Sequence, residues 1–375
     1  MITKSRFPHR AFHLGFAIAA LILGASLALP PVQAEQGPRF RIAIAGLVHS
    51  HAWGHLSRIA KNPNIDLVGI ADPNADLRAS AEKEAPGVPM YEDYRKLLDE
   101  KKPEAVWAFV ENDRHLELTQ ECASRGIHVI FEKPMAANYE QAGKMLDLAR
   151  KRKIKLMVNY QMAWWPASYT AYNLAKGGEL GKLWRVRGII GHGGPAPRDP
   201  KDARGQCFWS WLNDEKRGGG ALMDFTCYGA VWLRWYLGMP QSVYAITTHT
   251  RADVYKTNTN AAVLATFPDN GVGIIEGSWD LPRSFQDVEV FGNKGSVYMT
   301  SSRIEAYVGR ERKDVPVGTL EESRRDPVTY FVQAVRGDKP IEGMVSAEFN
   351  ADVMQIVEAA QRSAKSGRPV KLPLR

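Results

Sequence analysis

Cysteine is scarce in this sequence of 375 residues and occurs at three positions, Cys122, Cys207 and Cys227. An odd number excludes complete pairing of the thiols within one chain. Cys122 falls on a helix pattern and is expected to be buried. A disulfide between Cys207 and Cys227 stays open, because their spacing neither requires nor forbids it.

The apolar run near the N-terminus falls short of a membrane-spanning length. Residues 14–29 form an uncharged run of 16 residues, whereas a spanning helix needs about 20. Pro30 and Pro31 break the run, and residues 32–34 (Val-Gln-Ala) form a small-residue cleavage site. The basic residues that precede the run are Lys4, Arg6 and Arg10.

This pattern predicts a secretory signal peptide over residues 1–34 and a periplasmic or secreted mature protein without a membrane span. An uncleaved N-terminal membrane anchor is the alternative. No cysteine lies near the cleavage point, which argues against a lipid anchor. His9 stands where a twin-arginine signal has its first arginine, so the sequence does not decide between general and twin-arginine export.

Clusters of charged residues are also scarce in the sequence. Removal of the three basic leader residues lowers the formal net charge from +8 to +5, and the remaining Lys and Arg residues are scattered. The one dense run, residues 151–153 with Lys155, falls where a helix should end, and cations are favourable there. We therefore expect no nucleic-acid partner. Internal repeats and low-complexity tracts are absent too.

A regular alternation of strand and helix signals runs through residues 36–160, and it predicts a doubly wound parallel sheet. After Pro166 the strands are longer and alternate more strictly, and residues 268–271 and 292–295 predict hairpin turns. We predict a Rossmann-like NAD(P)-binding domain over residues 35–160. An α+β domain with an open, mostly antiparallel sheet is predicted over residues 161–375.

Residues 39–55 predict a phosphate-binding turn. A short apolar strand ends at Gly46 and leads directly into a helix, whose free N–H groups and dipole favour a pyrophosphate. The usual fingerprint is G-x-G-x-x-G, and its three positions here are Gly46, Val48 and His51, so only the first glycine is present. We assign these three residues and His49 to cofactor binding.

Asp72 follows the second predicted strand, 26 residues after Gly46. A carboxylate at this place can accept both hydroxyls of an adenosine ribose and repels a 2′-phosphate, so it favours NAD over NADP. An ordinary turn aspartate before Pro73 is the alternative.

Two further segments carry candidate catalytic groups. Glu132-Lys133-Pro134 ends the fourth long strand, and a lysine in an apolar cleft can titrate near neutrality or donate to an alkoxide. Residues 218–228 form a glycine loop and a helix start on which Asp224 and Tyr228 share one face. This pair suits holding and deprotonating a sugar hydroxyl. Tyr160, at the end of the last predicted strand of the first domain, is a candidate substrate contact.

In combination, these motifs resemble the Gfo/Idh/MocA family of NAD(P)-dependent oxidoreductases. The resemblance rests on segments that occur in one order, namely Asn112-x-x-His115, Glu132-Lys133-Pro134, residues 218–228 and residues 359–370. It implies a dinucleotide domain followed by an open-sheet substrate domain, and homo-oligomers packed through that sheet. It also implies that a sugar or polyol hydroxyl is oxidised or reduced.

The resemblance implies specific roles as well. Lys133 matches the catalytic lysine and Asp224 the carboxylate that orients the substrate. Asn112, His115 and Glu132 fall beside the cofactor. The family's histidine, four residues after the carboxylate, is here Tyr228. A phenol with a pKa near 10 is a weak base at neutral pH, so either Lys133 moves the proton with Tyr228 as a relay, or the reaction has changed.

His49, His51 and His55 raise the question of a metal ion, since His51 and His55 have helical i, i+4 spacing. In the sequence no carboxylate or cysteine stands beside them to complete a site, so we predict no metal. Several tryptophans suit either stacking on sugar rings or core packing. They are Trp164, Trp165, Trp209 and Trp211.

These observations predict an exported oxidoreductase that acts on a sugar, polyol or cyclitol with NAD or NADP. An exported enzyme meets little free cofactor, which favours tight binding and recycling in the same site. The enzymatic alternative is redox-neutral glycoside cleavage by oxidation, elimination and reduction. The non-enzymatic alternative is a binding protein that holds a dinucleotide or a sugar without catalysing a reaction.

Overall fold

The computed structural model of the protein describes residues 38–197 and 199–374. The predicted signal peptide therefore lies outside the described residues. Within them, no helix has the combination of length and apolarity that crossing a membrane requires.

The first part of the described chain alternates strands and helices. The strands are β1 Phe40–Ala45, β2 Ile65–Ala71, β3 Met90–Tyr91, β4 Ala105–Ala108, β5 His128–Glu132 and β6 Leu156–Asn159. The helices are α1 His51–Ala60, α2 Ala75–Glu84, α3 Tyr94–Lys101, α4 His115–Ser124 and α5 Tyr139–Arg152. The six strands form one parallel sheet in the order β3-β2-β1-β4-β5-β6. This confirms the predicted Rossmann-like fold.

Apolar residues explain how this sheet is covered. Every residue of β4 is buried, as expected for a strand with helices on both faces of its sheet. Helix α1 buries Ala52, Leu56 and Ile59, which share one face of an amphipathic helix. The packing of that face fixes the start of α1 beside the end of β1.

The register aligns the carboxyl ends of the strands at one edge of the sheet. Ala45 lies opposite Ala71 on one side and Ala108 on the other, and Glu132 lies opposite Asn159. The residues that follow these strands therefore meet along one line. We call the space along this edge the crevice.

The second part of the described chain builds a larger sheet. Its strands are β7 Leu183–Gly191, β8 Ser242–Thr248, β9 Asn260–Thr266, β10 Val272–Ser278, β11 Phe285–Gly292, β12 Gly295–Met299, β13 Ile304–Val308, β14 Glu311–Asp314 and β15 Val370–Lys371. Its helices are α6 Pro166–Lys176, α7 Ala203–Leu212, α8 Ala221–Leu237, α9 Pro327–Arg336 and α10 Ala347–Ser366. The sheet order is β14-β13-β12-β11-β7-β10-β9-β8-β15. Strands β7 and β10 pair in parallel and the other neighbours antiparallel, which confirms the predicted mostly antiparallel sheet.

Helices α8 and α10 pack on one face of this sheet, and α10 also packs on α5. Gln355 of α10 donates a hydrogen bond to the Tyr139 hydroxyl of α5 over 3.1 Å. On β8 and β9, buried residues alternate with exposed ones. Tyr244, Ile246 and Leu264 are among the exposed large apolar side chains, so this face of the sheet carries an apolar surface.

Some details differ from the predictions. The sequence pattern predicts a helix over residues 113–125, but the structure has a 3₁₀ turn at Asn112–Arg114 before α4. The helices α7 and α9 and the short strands β13, β14 and β15 were not predicted. The thiols of Cys207 and Cys227 are free, so they form no disulfide in this structure, and Cys122 is buried as predicted.

Candidate active site

The turn between β1 and α1 depends on its one glycine. Gly46 has a φ of 81°, and a Cβ atom there would lie 2.6 Å from Cγ1 of Val110. Both features require glycine, since L residues rarely adopt this φ and real atoms do not approach so closely. Val48, at the second position of the fingerprint, is half-buried and lines a cavity of about 270 Å³ together with Gly46 and Asp72.

Asp72 stabilises this turn through hydrogen bonds to backbone N–H groups. One carboxylate oxygen accepts a hydrogen bond from the Leu47 N–H (2.7 Å) and the other from the Asn74 N–H (2.8 Å). Burial raises the pKa of Asp72 above its ordinary value. The structure thus gives Asp72 a backbone role that the spacing did not predict, and its contact with a ribose stays a prediction.

Asn112 and His115 lie beside the predicted nicotinamide position, and each side chain has one hydrogen-bonded and one unsatisfied polar atom by ordinary geometric criteria among the described residues. Asn112 Nδ2 donates to the Gly218 carbonyl over 2.9 Å, and His115 Nδ1 lies 3.0 Å from the Met135 carbonyl. Asn112 Oδ1 and His115 Nε2 are buried without a hydrogen bond of ordinary geometry among the described residues. Such groups are costly when unpaired. They suit a polar ligand such as a carboxamide, so these residues fit a nicotinamide.

Lys133 and Asp224 form a buried ion pair across the crevice. Lys133 Nζ contacts Asp224 Oδ1 and lies 3.2 Å from the Asp224 carbonyl oxygen. The second carboxylate oxygen, Oδ2, accepts a hydrogen bond from Trp279 Nε1 over 2.9 Å. The side chains are 5% and 8% exposed. The lysine that follows β5 therefore meets the carboxylate of α8, and the catalytic roles of the two residues stay predictions.

The ion pair changes the expected protonation of Lys133. Burial lowers the pKa of Lys133, but the negative charge of Asp224 overcomes this effect and raises the pKa above its ordinary value. The pKa of Asp224 is lowered, because Lys133 outweighs the opposing effect of burial. The expectation that Lys133 titrates near neutrality therefore does not hold in this state. Lys133 carries its proton and is a donor.

Tyr228 and Tyr160 lie beside this pair. Lys133 Nζ is 5.0 Å from the centre of the Tyr228 ring, so the ammonium group meets the face of the ring, an attractive cation–π arrangement. Burial raises the pKa of Tyr228. The two tyrosine rings make an edge contact at 5.4 Å. Among the described residues no hydrogen bond joins the Tyr228 hydroxyl to Lys133, and a relay through this hydroxyl stays a prediction.

His49, His51 and Glu132 form a second polar cluster, which we call the His–Glu cluster. His51 Nδ1 lies 2.8 Å from Glu132 Oε2, and the His49 and His51 ring centres are 4.5 Å apart. The expectation that no carboxylate stands beside these histidines was therefore wrong. Glu132 lies 81 residues away in sequence, and only the sheet order brings it to α1.

Aromatic side chains of α7 close the crevice over His49. The rings of Phe208 and Trp211 lie 5.3 and 5.9 Å from its ring, centre to centre. Burial lowers the pKa of His49 well below its ordinary value. The crevice therefore contains a neutral imidazole covered by apolar rings at the predicted pyrophosphate turn.

Two models of one protein family match this chain. One, described as an oxidoreductase family with an NAD-binding Rossmann fold, covers residues 40–160. The other, the C-terminal domain of the same family, covers residues 169–298. Together they match well over half of the chain. The chain belongs to the Gfo/Idh/MocA family.

Curated relatives of this Gfo/Idh/MocA protein include sugar dehydrogenases. It is 28% identical over 306 residues to D-xylose 1-dehydrogenase (NADP(+)) 2 of Haloferax volcanii, covering 79% of this chain and 89% of the relative. It is 24% identical over 357 residues to D-glucoside 3-dehydrogenase of Escherichia coli, covering 88% and 97%. This Gfo/Idh/MocA protein is thus an oxidoreductase with an NAD-binding domain.

A solved structure shows the same fold. The aldose-aldose oxidoreductase from Caulobacter crescentus, complexed with glycerol, superposes with a TM-score of 0.75 at 22% identity. The match covers 89% of this chain and all of that one. At this identity, the similarity concerns only the fold of the Gfo/Idh/MocA protein.

Two residues of the site in this Gfo/Idh/MocA protein were not predicted from its sequence. Trp279, just after β10, holds Asp224, and His192, just after β7, packs its ring at 5.1 Å against Phe225. Burial lowers the pKa of His192, near the charges of Asp224 and Lys133. Both residues end strands of the second sheet. Polar or aromatic residues directly after those strands were the one signal that pointed to them.

Proposed function

We propose that this protein transfers a hydride between NAD or NADP and a hydroxyl-bearing carbon of a sugar, polyol or cyclitol. The observation that carries the proposal is the buried Lys133–Asp224 pair at the carboxyl edge of the dinucleotide sheet. A donor and an acceptor held together there are what recognition of one hydroxyl or carbonyl oxygen requires. The sugar dehydrogenases among its relatives support the same substrate class.

The cofactor residues follow from the crevice. Gly46, Val48 and the start of α1 would hold the pyrophosphate, and Asn112 and His115 would bind the nicotinamide end. The bound nicotinamide supplies or accepts the hydride. Asp72 favours NAD by repelling a 2′-phosphate, although the Haloferax relative is named for NADP(+).

Lys133 acts on the substrate oxygen. It holds a proton, so in the reduction direction it donates that proton to the developing alkoxide. A substrate oxygen that separates Lys133 from Asp224 weakens the attraction between the two charges. This attraction then offsets less of the effect of burial, so the pKa of Lys133 falls. The same separation therefore allows the amine to take up the hydroxyl proton in the oxidation direction. Asp224, fixed by Trp279, orients the substrate.

The predicted export of the protein limits its supply of free cofactor and therefore affects the catalytic cycle. We propose that the predicted signal peptide delivers the protein to the periplasm or the medium, with the N-terminal anchor as the alternative. Little free cofactor is expected there, so a tightly bound cofactor would be reduced by one substrate and reoxidised by another. The name of the Caulobacter protein describes such a two-substrate exchange.

Redox-neutral glycoside cleavage is a second candidate. Its first step would oxidise a glycoside at one hydroxyl, as the name of the Escherichia coli relative indicates for that protein. Exchange of the C2 proton with solvent and release of the aglycone would favour this cleavage. Oxidation of a free sugar without bond breakage favours simple hydride transfer.

The cofactor itself tests the proposal. The mature protein, purified from its native compartment, should contain a dinucleotide that absorbs at ~340 nm after addition of a reducing sugar or polyol. Denaturation and mass spectrometry would identify it. If no dinucleotide is present, and neither NAD nor NADP raises the melting temperature, the protein is a non-catalytic binding protein instead.

We also propose a homo-oligomer that packs through the exposed apolar face of the second sheet. Tyr244, Ile246 and Leu264 lie on neighbouring strands, and a contiguous apolar surface of this kind marks an interaction site. Light scattering of the purified mature protein would give the number of subunits.

A further inference from the structure

The His–Glu cluster gathers three metal-ligating side chains from two elements. His49 lies in the turn after β1, His51 begins α1, and Glu132 ends β5. One potential ligand atom of each, a ring nitrogen or a carboxylate oxygen, lies within 4.8 Å of the others. Small shifts of the side chains bring such atoms to the ~2.0–2.2 Å from a common centre that Zn²⁺ requires.

We propose that His49, His51 and Glu132 bind one divalent transition-metal ion of the Zn²⁺ class. Two imidazoles and one carboxylate form a donor set of borderline softness, which suits Zn²⁺ and not Mg²⁺ or Ca²⁺. Three protein ligands leave at least one coordination position for water or another ligand. The ligand set does not include Lys133 or Asp224, although His49 and His51 also belong to the predicted cofactor turn, and a bound ion goes beyond the proposed hydride transfer.

The residues around Glu132 hold it in place. Its second oxygen, Oε1, accepts a hydrogen bond from Asn159 Nδ2 over 2.8 Å. Asn159 Oδ1 in turn accepts a hydrogen bond from Trp164 Nε1 over 2.8 Å. Metal-binding carboxylates are oriented by outer hydrogen bonds of this kind. Glu132 thus presents Oε2 to His51 in a fixed direction.

The charge of Glu132 also calls for a cation. Its side chain is fully buried, and a buried carboxylate needs a positive partner. The adjacent Lys133 is engaged with Asp224. His51 Nδ1 lies 2.8 Å from Glu132 Oε2. A metal ion held between these two atoms would supply the positive charge.

A route from solvent reaches the cluster. The His51 side chain is 25% exposed and lines a cavity of about 500 Å³ together with Trp164 and Trp165. His55 lines the same cavity, and its Nε2 lies 3.8 Å from Glu132 Oε1. Ligand set, outer hydrogen bonds and entry path are therefore all present, as a metal site requires.

Metal content tests the site without reference to activity. The mature protein, produced without a polyhistidine tag, would be stripped with EDTA and titrated with ZnSO₄ alone, with elemental analysis and calorimetry as readouts. We expect about one tightly bound zinc per chain and a higher melting temperature. Co²⁺ in place of zinc should give visible absorption bands of a low-coordinate site.

Variants locate the ion. His51→Ala and Glu132→Gln should each weaken zinc binding by about 100-fold or more, and His49→Asn should do the same. His128→Asn, a histidine at the opposite end of β5, is the matched control and should bind zinc as the wild type does. The melting temperature of each metal-free variant shows whether it folds.

Two results would overturn the proposal. One is no zinc in the folded wild-type protein and no Co²⁺ absorption bands. The other is zinc that persists in the folded His51→Ala and His49→Asn variants. His49 and His51 also belong to the predicted cofactor turn, so zinc is titrated into protein freed of dinucleotide. Zinc binding there does not require NAD or NADP, and the zinc site and the proposed hydride transfer can therefore fail independently.

Discussion

Lys133 and Asp224 depend on each other for their charges. Each is buried, so burial alone disfavours both charged forms, and the charge of the partner is the largest of the effects that oppose it. Such a pair contributes little net stability but is costly to break. In an active site the arrangement is useful, because a substrate oxygen that enters between the two groups changes the proton affinity of both.

Asp224→Asn should make the free energy of unfolding depend on pH between about pH 8 and 9.5. In the variant, burial lowers the pKa of Lys133 below its unfolded value, so the unfolded state binds more protons and stability rises with pH. In the wild type the pKa of Lys133 is raised, and its contribution is constant until pH exceeds the unfolded value of about 10.5.

Denaturant unfolding at several pH values measures this difference. At pH 7 the variant should be less stable by about 3–5 kcal/mol, because the ammonium group is left unpaired. A wild-type-like, flat profile in the variant would show that the pair carries no such coupling.

Gly46→Ala should destabilise the protein by roughly 2–4 kcal/mol. The substitution combines backbone strain at positive φ with a clash against Val110. Gly54→Ala, in the exposed face of α1 with nothing within 4 Å of the added Cβ, is the control and should stabilise by up to about 1 kcal/mol. Equal effects of the two substitutions in thermal unfolding would contradict the role assigned to Gly46.

At the scale of elements, the turn between β1 and α1 deviates from the family's glycine pattern. Val48→Gly should tighten NAD binding several-fold, because the second glycine lets the backbone approach the pyrophosphate. Calorimetric titration of the protein freed of bound dinucleotide measures the dissociation constant. Val88→Gly, in a loop outside the crevice, is the control. Weaker binding in Val48→Gly would mean that the pyrophosphate does not lie on this turn.

Long, strongly patterned elements were predictable from the sequence. The sequence pattern predicts helices over residues 139–152, 221–237 and 347–366, and these are the bounds of α5, α8 and α10, since apolar faces and caps are local features. The strand β14 is fully exposed, so no apolar alternation marked it. The helix α7 carries aromatic residues on several sides and gave no single apolar face.

The site was predictable in part. Lys133 and Asp224 were named from their motifs, and the structure brings them together. Partners supplied by a distant element were not visible. Glu132 at His51 and Trp279 at Asp224 are 81 and 55 residues apart in sequence, and only the strand order and the packing of α8 on the second sheet make them neighbours.

At the scale of the whole molecule, the second sheet has one covered face and one exposed face, which carries large apolar side chains on β8 and β9. We expect Leu264→Asp, with its side chain 49% exposed in the single chain, to dissociate the proposed oligomer, because a charge cannot be buried unpaired at an interface. Light scattering would measure the molar mass. Val317→Asp, exposed but outside the sheet, is the control and should leave the mass unchanged. An unaltered mass in Leu264→Asp would exclude this face as the interface.

The whole molecule places a dinucleotide domain, a proton-holding lysine and a carboxylate from the second domain around one crevice. The central claim is that Lys133 acts on the substrate oxygen and is not merely a structural partner of Asp224. Replacement of the ammonium group leaves Asp224 without its charge partner. The test therefore needs the double variant Lys133→Met/Asp224→Asn besides the single variant.

The rate of hydride transfer in a single turnover, followed at ~340 nm with the sugar found active on the wild type, tests this claim most directly. Lys133→Met and the double variant should lose about 10²–10⁴-fold in this rate and keep their affinity for NAD or NADP. Lys155→Met, which loses a surface ion pair with Asp338, is the control and should react like the wild type. A folded, cofactor-bound Lys133→Met variant that transfers hydride within a few-fold of the wild-type rate would contradict the account.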